Sequence, residues 1–176
     1  MLIRFSVQNY KTFKDKAILS MVASNYDKDT REVDNVINDR HFNLRILKSS
    51  VIYGANASGK TKLIEALGFM KRLVLTSSKE SQKGDKIEVE PFRLSTETET
   101  TPSEFEIIFI SNGTLYRYGF EVNYEQIVSE WLFYKSNKKE VELFYRDYQD
   151  IETHPRNFSK GNTLVKEGLI RDNALL

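Results

Sequence analysis

The run Ser50-Val51-Ile52-Tyr53-Gly54-Ala55-Asn56-Ala57-Ser58-Gly59-Lys60-Thr61 decides the fold. Its first four residues form a β-rich stretch that stops at Gly54, which predicts a buried strand over 50–53 entering a tight loop. Beyond the loop, Leu63, Ile64, Leu67, Met70, Leu73 and Val74 recur at the helical period until Ser77 and Ser78, so a helix is expected over about 59–76. The segment between fits G-x-x-x-x-G-K-[ST] and stands where that pattern has physical sense, between strand and helix. Gly54 lets the chain leave the strand sharply, and Gly59 lets backbone approach a phosphate where a Cβ would collide. The loop, with Asn56 in it, is expected to aim the amides of Ala57, Ser58, Gly59, Lys60 and Thr61 into one concavity. There the start of the helix adds partial positive charge. Lys60 supplies a compact cation for the β- and γ-phosphates of a nucleotide and is the candidate catalytic residue; the Thr61 hydroxyl is a hard oxygen ligand suited to Mg²⁺. The bland alternative, a glycine-rich turn capping a helix beside an incidental lysine, does not account for the order of strand, loop and helix.

Upstream, Ile3, Phe5 and Val7 alternate with Arg4, Ser6 and Gln8, the pattern of a half-buried strand; after a turn at Asn9-Tyr10-Lys11-Thr12, Ala17 to Val22 should pair with it as a hairpin. Residues 24–46 are mixed in charge and read as a solvated connection. Residues 79–90 and 96–103 read as surface loops, the second with nothing able to fill a core. Downstream the period switches to two: Phe105, Ile107 and Phe109 share one side, Asn112-Gly113 signals a hairpin, and 115–122, 127–134 and 141–145 continue as an antiparallel meander. Residues 147–176 carry no clear pattern, and their uncapped apolar end, Ala174-Leu175-Leu176, creates the expectation of a longer protein.

The chain has 176 residues, 40% hydrophobic and 12% aromatic, enough for one well-buried core. Twenty-six Lys and Arg against 25 Asp and Glu leave a net charge of +1, so no overall field draws it to nucleic acid or anionic membrane. With no cysteine and two histidines, His41 and His154, disulfides, thiol nucleophiles and the usual zinc sets are excluded. The N-terminus lacks the pattern of a signal peptide, and apolar runs such as Ile107 to Ile110 fall far short of the ~20 residues that span a bilayer. A cytoplasmic chain without membrane contact is expected.

A phosphate cradle is not yet an enzyme. Hydrolysis needs an acidic residue at the end of a second strand and a group that orients water. No run of four apolar residues here ends in an acid; Ile107 to Ile110 is followed by Ser111. The segment is expected to be inactive alone, with its missing carboxylates elsewhere in a longer protein. Trp131, Phe133 and Tyr134 beside Lys135, Lys138 and Lys139 could offer a nucleic-acid surface, but core packing of the aromatics is the favoured reading. Glu104 and Glu106 share one side of a strand as solvent-facing residues do, rather than as a catalytic pair.

The opening strand with Asn9-Tyr10-Lys11-Thr12-Phe13, followed by Val51 to Thr61, resembles the N-terminal lobe of the ABC-type ATPases. These include the recombination protein RecF, the structural-maintenance-of-chromosomes proteins and the overcoming-lysogenization-defect nucleases. The nearest likeness is to bacterial ATP-binding proteins grouped as AAA-family, several of which act in phage defence; in those, too, an antiparallel segment resembling Tyr116 to Phe120 and Ile127 to Glu130 follows the first helix. The resemblance spans almost the whole chain, loops excepted. It implies an incomplete α/β P-loop NTPase lobe with an attached antiparallel β-meander: hairpin, P-loop strand and helix over 1–78, a β subdomain over 87–146, and the start of a following segment over 147–176. It implies ATP and Mg²⁺ as ligands, ATP hydrolysis in the full-length protein, a homodimer of heads, and DNA, RNA or an effector protein as partner in nucleic-acid processing or phage defence. Lys11 matches the basic position of the opening motif and is a candidate for the phosphates or ribose, with an ordinary solvated lysine as the alternative. The family's signature motif, Walker B acids and switch histidine find no counterpart, and its magnesium-sensing glutamine cannot be assigned among Gln82, Gln126 and Gln149. The rivals are a non-hydrolysing nucleotide-sensing module and a small P-loop kinase or GTPase; for the latter, Asn137-Lys138-Lys139-Glu140 lacks the Asp that base recognition requires.

Overall fold

The computed structural model describes residues 1–26, 31–78, 82, 84–136 and 139–176. In chain order the elements are β1 (Leu2–Gln8), β2 (Ala17–Ser20), α1 (Glu32–Asn35), β3 (Val36–Asp39), β4 (Leu44–Leu47), α2 (Lys60–Thr76), α3 (Thr96–Glu99), β5 (Ser103–Ser111), β6 (Thr114–Val122), β7 (Ile127–Lys135), β8 (Val141–Asp147), β9 (Asp150–Thr153) and α4 (Ser159–Lys166). Seven strands make one sheet in the order β2-β1-β5-β6-β7-β8-β9, and β3 and β4 make a separate hairpin. Every pairing is antiparallel. This is a mixed α/β architecture with a large antiparallel sheet, compatible with a P-loop NTPase-like domain.

The periodicities place α2 on the sheet. Its buried residues Ala66, Phe69, Met70 and Leu73 meet Phe5, Val7, Phe105, Phe120 and Val122, each large side chain contributing about 2 kcal/mol by leaving water. Phe105 is the hub, with ring centroids 5.0 Å from Phe69, 5.2 Å from Tyr10 and 5.4 Å from Phe120. The strands of the meander fall where the periodicity places them, and its first turn works as the Asn-Gly pair demands: Asn112 and Gly113 both take positive φ, 48° and 73°, so Ser111 pairs with Thr114. A register shift between Leu2 and Arg4 in β1 lets Ile3 leave the α2 side and join Ile46 and Ile110 in a second core.

Five expectations need correction. Residues 50–53 form no strand; Val51 is 81% and Tyr53 90% exposed, because no described strand runs beside them to take their backbone hydrogen bonds. The stretch 24–46 is not only a solvated connection: its described part builds α1, β3 and the start of β4, and Ile46 is fully buried. Residues 96–103 are anchored rather than loose, since α3 buries Thr98, whose hydroxyl donates to the Phe92 carbonyl at 2.6 Å. The patternless tail contains β9 and α4. Of the loop 79–90, residues 79–81 and 83 lie outside the described residues, as do Asn137 and Lys138; Ile87 and Val89 are buried in the main core. Among the described residues, no helix is long and apolar enough to cross a membrane.

Candidate phosphate-binding site

The loop leading into α2 has the geometry of an anion nest. Ala57 and Gly59 take left-handed backbone, φ 63° and 89°, on either side of Ser58, the alternation that turns successive amides inward. Gly59 caps α2, whose first turn holds no acidic residue, so the positive end of the helix is left uncompensated. A concavity of about 430 Å³ is lined by Thr12, Ala57, Ser58, Gly59, Lys60, Thr61 and Lys62. Lys60 Nζ donates to the carbonyls of Gly54 at 2.9 Å and Ala55 at 2.7 Å, folding back over the loop. Thr61, in the first turn, is exposed at the mouth. The lining carries cations and hydroxyls and no carboxylate, a donor set that suits a phosphate chain with Thr61 as one oxygen ligand for its magnesium.

The opening segment forms one wall. Asn9, buried, donates through Nδ2 to the carbonyls of Thr98 at 2.9 Å and Thr101 at 2.8 Å, and its Oδ1 accepts from the Phe92 amide at 2.9 Å. With the ends of that connection pinned, Tyr10 enters the core while Thr12 and Phe13 turn to the loop. A Cβ on Gly59 would stand 3.3 Å from Thr12 Oγ1 and 3.5 Å from the Phe13 ring, so the absence of a side chain there lets the two segments close on each other. Lys11 points along α2 instead. Its Nζ donates to Glu65 Oε2 at 2.6 Å and lies 3.7 Å from Glu90; the bond from Lys11 holds the Glu65 carboxyl below the usual carboxylate range and the lysine above its own.

The structure thus brings Gly54, Asn56, Ala57, Ser58, Gly59, Lys60 and Thr61 together in one loop and helix start, and sets Lys11 one helical turn further along, on Glu65. Thr12 lines the concavity unanticipated by the sequence, because the opening motif leaves its position unspecified. The other candidates go elsewhere. Trp131 lies across Gly119 and donates to Glu106 at 3.2 Å; Arg117 stacks 4.1 Å over the Phe133 ring. Glu106 is buried rather than solvent-facing and pairs with Arg4 and Arg117, and Glu104 pairs with Lys16, so neither carboxylate is free for acid–base work. Among the described residues, no cluster of His, Cys, Asp and Glu could hold a metal ion.

A family model described as "AAA domain, putative AbiEii toxin, Type IV TA system" matches residues 49–170, more than two thirds of the chain, beginning just before the phosphate loop. No curated protein matches at a significant level. The geometry of the loop and the extent of that match agree on an AAA-type domain with ATPase-like nucleotide binding, and the chain belongs to the AAA-domain family described as putative AbiEii toxin of a type IV toxin–antitoxin system.

Proposed function

We propose that the chain binds ATP with Mg²⁺ in the concavity between Thr12 and the start of α2, as the N-terminal lobe of an ABC-type ATPase head. The observation that carries this reading is the paired left-handed backbone at Ala57 and Gly59, which gathers loop amides at a helix N-terminus free of acidic residues. The amides of residues 57–61 hold the phosphate chain, Lys60 swings from the Gly54 and Ala55 carbonyls to the terminal phosphates, and Thr61 supplies a ligand to the magnesium. Thr12 closes the near wall and offers a further hydroxyl. The ion itself supplies charge neutralisation at the β- and γ-phosphates.

In this reading the chain binds and does not turn over alone, because the lining holds no carboxylate to polarise water. The exposed run Val51 to Tyr53, unpaired among the described residues, supports the same view: it has the composition of a buried strand and wants neighbours from other sequence. The whole protein then hydrolyses ATP as a homodimer of heads in the cytoplasm, in service of nucleic-acid processing or phage defence. Calorimetric titration with ATP·Mg²⁺ and GTP·Mg²⁺ tests it. Saturable ATP binding abolished or strongly weakened by Lys60→Ala is expected; no binding, or binding indifferent to that change, overturns the reading.

A further inference from the structure

Residues 171–176 form neither helix nor strand, yet four separate parts of the fold hold them. Arg171 Nη2 donates to the carbonyls that follow α2, Ser77 at its C-cap at 3.1 Å and Ser78 at 2.8 Å, acceptors that a helix end leaves open. The Leu175 amide donates to the buried Ser77 hydroxyl at 3.2 Å, and the Leu175 side chain joins the α2 core. Asn173 Nδ2 reaches the carbonyls of Gln82 at 2.7 Å and Asp85 at 3.0 Å. On the sheet side, the Asp172 carbonyl accepts from the Ile127 amide at 2.8 Å.

Two fully buried ionisable side chains complete the hold. Arg146 of β8 donates to Ala174 at 2.6 Å, Arg171 at 3.0 Å and Asp172 at 3.3 Å, all backbone carbonyls, and its Nε to the Tyr148 carbonyl at 2.6 Å. Glu130 of β7 accepts from the Leu176 amide at 3.0 Å and the Tyr118 hydroxyl at 2.8 Å, and lies 3.9 Å from Arg146. A guanidinium spending most of its donors on one irregular segment is an arrangement for fixing that segment in one place. Burying a guanidinium beside a carboxyl costs desolvation that the contacts between them only partly return, and Asn173 Oδ1 is buried without a hydrogen-bond partner among the described residues. The closed state is well defined without being the cheapest way to seal the core.

We propose that residues 171–176 are a latch on the phosphate-loop helix: they tie the end of α2 at Ser77 to β7 and β8 through Arg146 and Glu130, and they open as a unit that releases that end from the sheet. The helix runs from Lys60 to Thr76, about 25 Å, and its middle stays packed on the sheet through Ala66, Phe69 and Met70, so the release is confined to its last turn.

Hydrogen exchange measured by mass spectrometry on the ligand-free protein tests it. With Arg146→Met, peptides covering 171–176 and the last turn of α2 are expected to exchange at least tenfold faster together, while peptides of β5 and β6 keep their wild-type rate. Arg171→Met and Ser77→Ala, which remove one attachment each from less critical positions, should give the same paired acceleration at smaller size and decide the matter if the first variant does not fold. Acceleration of 171–176 with α2 unchanged, acceleration of the whole sheet alongside, or no change would each overturn the latch. Nucleotide is absent from the measurement, so its failure is distinct from a failure of ATP binding.

Discussion

Lys60 Nζ sits 2.7 Å from the carbonyl oxygen of Ala55 and donates to it, so the cation that a phosphate would claim is held by the loop's own backbone. A phosphate oxygen carries negative charge and is therefore a stronger acceptor for the ammonium than a neutral carbonyl. Lys60 is therefore expected to exchange partners on binding. Lys60→Ala should weaken ATP binding by about 10- to 100-fold, the equivalent of a lost hydrogen bond to a charged group. Its melting temperature should stay close to wild type, because the bonds lost are to exposed loop carbonyls. An unchanged affinity in calorimetry would show that the phosphates lie elsewhere.

The contact between Thr12 and Gly59 can be probed from both sides. Thr12→Val keeps the shape and removes the hydroxyl, and is expected to cost ATP several-fold in affinity, about the value of one neutral hydrogen bond, without affecting stability. Gly59→Ala forces a side chain into φ 89° with its Cβ 3.3 Å from Thr12 Oγ1. The left-handed backbone alone costs roughly 1–2 kcal/mol, so thermal unfolding should occur a few degrees lower, and binding should fall with it. Adding Thr12→Ala to Gly59→Ala should relieve the crowding and leave the backbone strain; complete recovery of stability would mean that strain was absent.

How much of this was legible in the sequence follows from which interactions are local. The helix over 60–76, the strands of the meander and the Asn112-Gly113 turn rest on periodicity and turn chemistry within a few residues, and they form as expected. The loop from Gly54 to Thr61 was legible for the same reason. Residues 50–53 misled because a β-rich composition states only that a run suits a strand, while a strand exists only when another lies beside it. The α1, β3 and β4 stretch was hidden by its charges: Ile46 is buried although Arg45 beside it pairs with Glu32. Thr12 and Phe13 reach the loop only because Asn9 is tied to residues about ninety positions away, a distance no local pattern encodes. For Glu130 there was one usable signal, its shared parity with Leu132 and Tyr134 on a strand, which puts a carboxylate on the apolar side.

Trp131 and Gly119 form a cross-strand pair in which the indole fills the space a side chain would need. A Cβ on Gly119 would lie 2.5 Å from the Trp131 ring and 2.8 Å from the Phe105 carbonyl oxygen, and the backbone oxygen cannot yield cheaply. Gly119→Ala is expected to destabilise by about 1–3 kcal/mol, as overpacking does, lowering the melting temperature by several degrees. Trp131 is the single tryptophan, so its fluorescence reports the displacement directly and should shift to the red. Wild-type stability with an unshifted spectrum would show that the indole does not rest on that glycine.

Glu130 gives the protein a pH dependence of unusual sign. Burial pushes its carboxyl up to about 7, against the opposing pull of the Leu176 amide, the Tyr118 hydroxyl and the Arg146 charge. In the unfolded chain the same group titrates at its ordinary value of 4.5. Between the two values the folded protein holds a proton that the unfolded chain has released, so stability falls as pH rises through that window and levels off above about 7. The slope from this one group is at most about 1.4 kcal/mol per pH unit. Glu130→Gln, which keeps an acceptor for Leu176 and Tyr118 without the titrating proton, should abolish that component, so that the difference in unfolding free energy between the two proteins changes with pH across 4.5–7 and is constant above it. Denaturant unfolding at a series of pH values measures the difference. A difference that does not vary with pH would mean that Glu130 is charged in the fold throughout, with Arg146 compensating it in full.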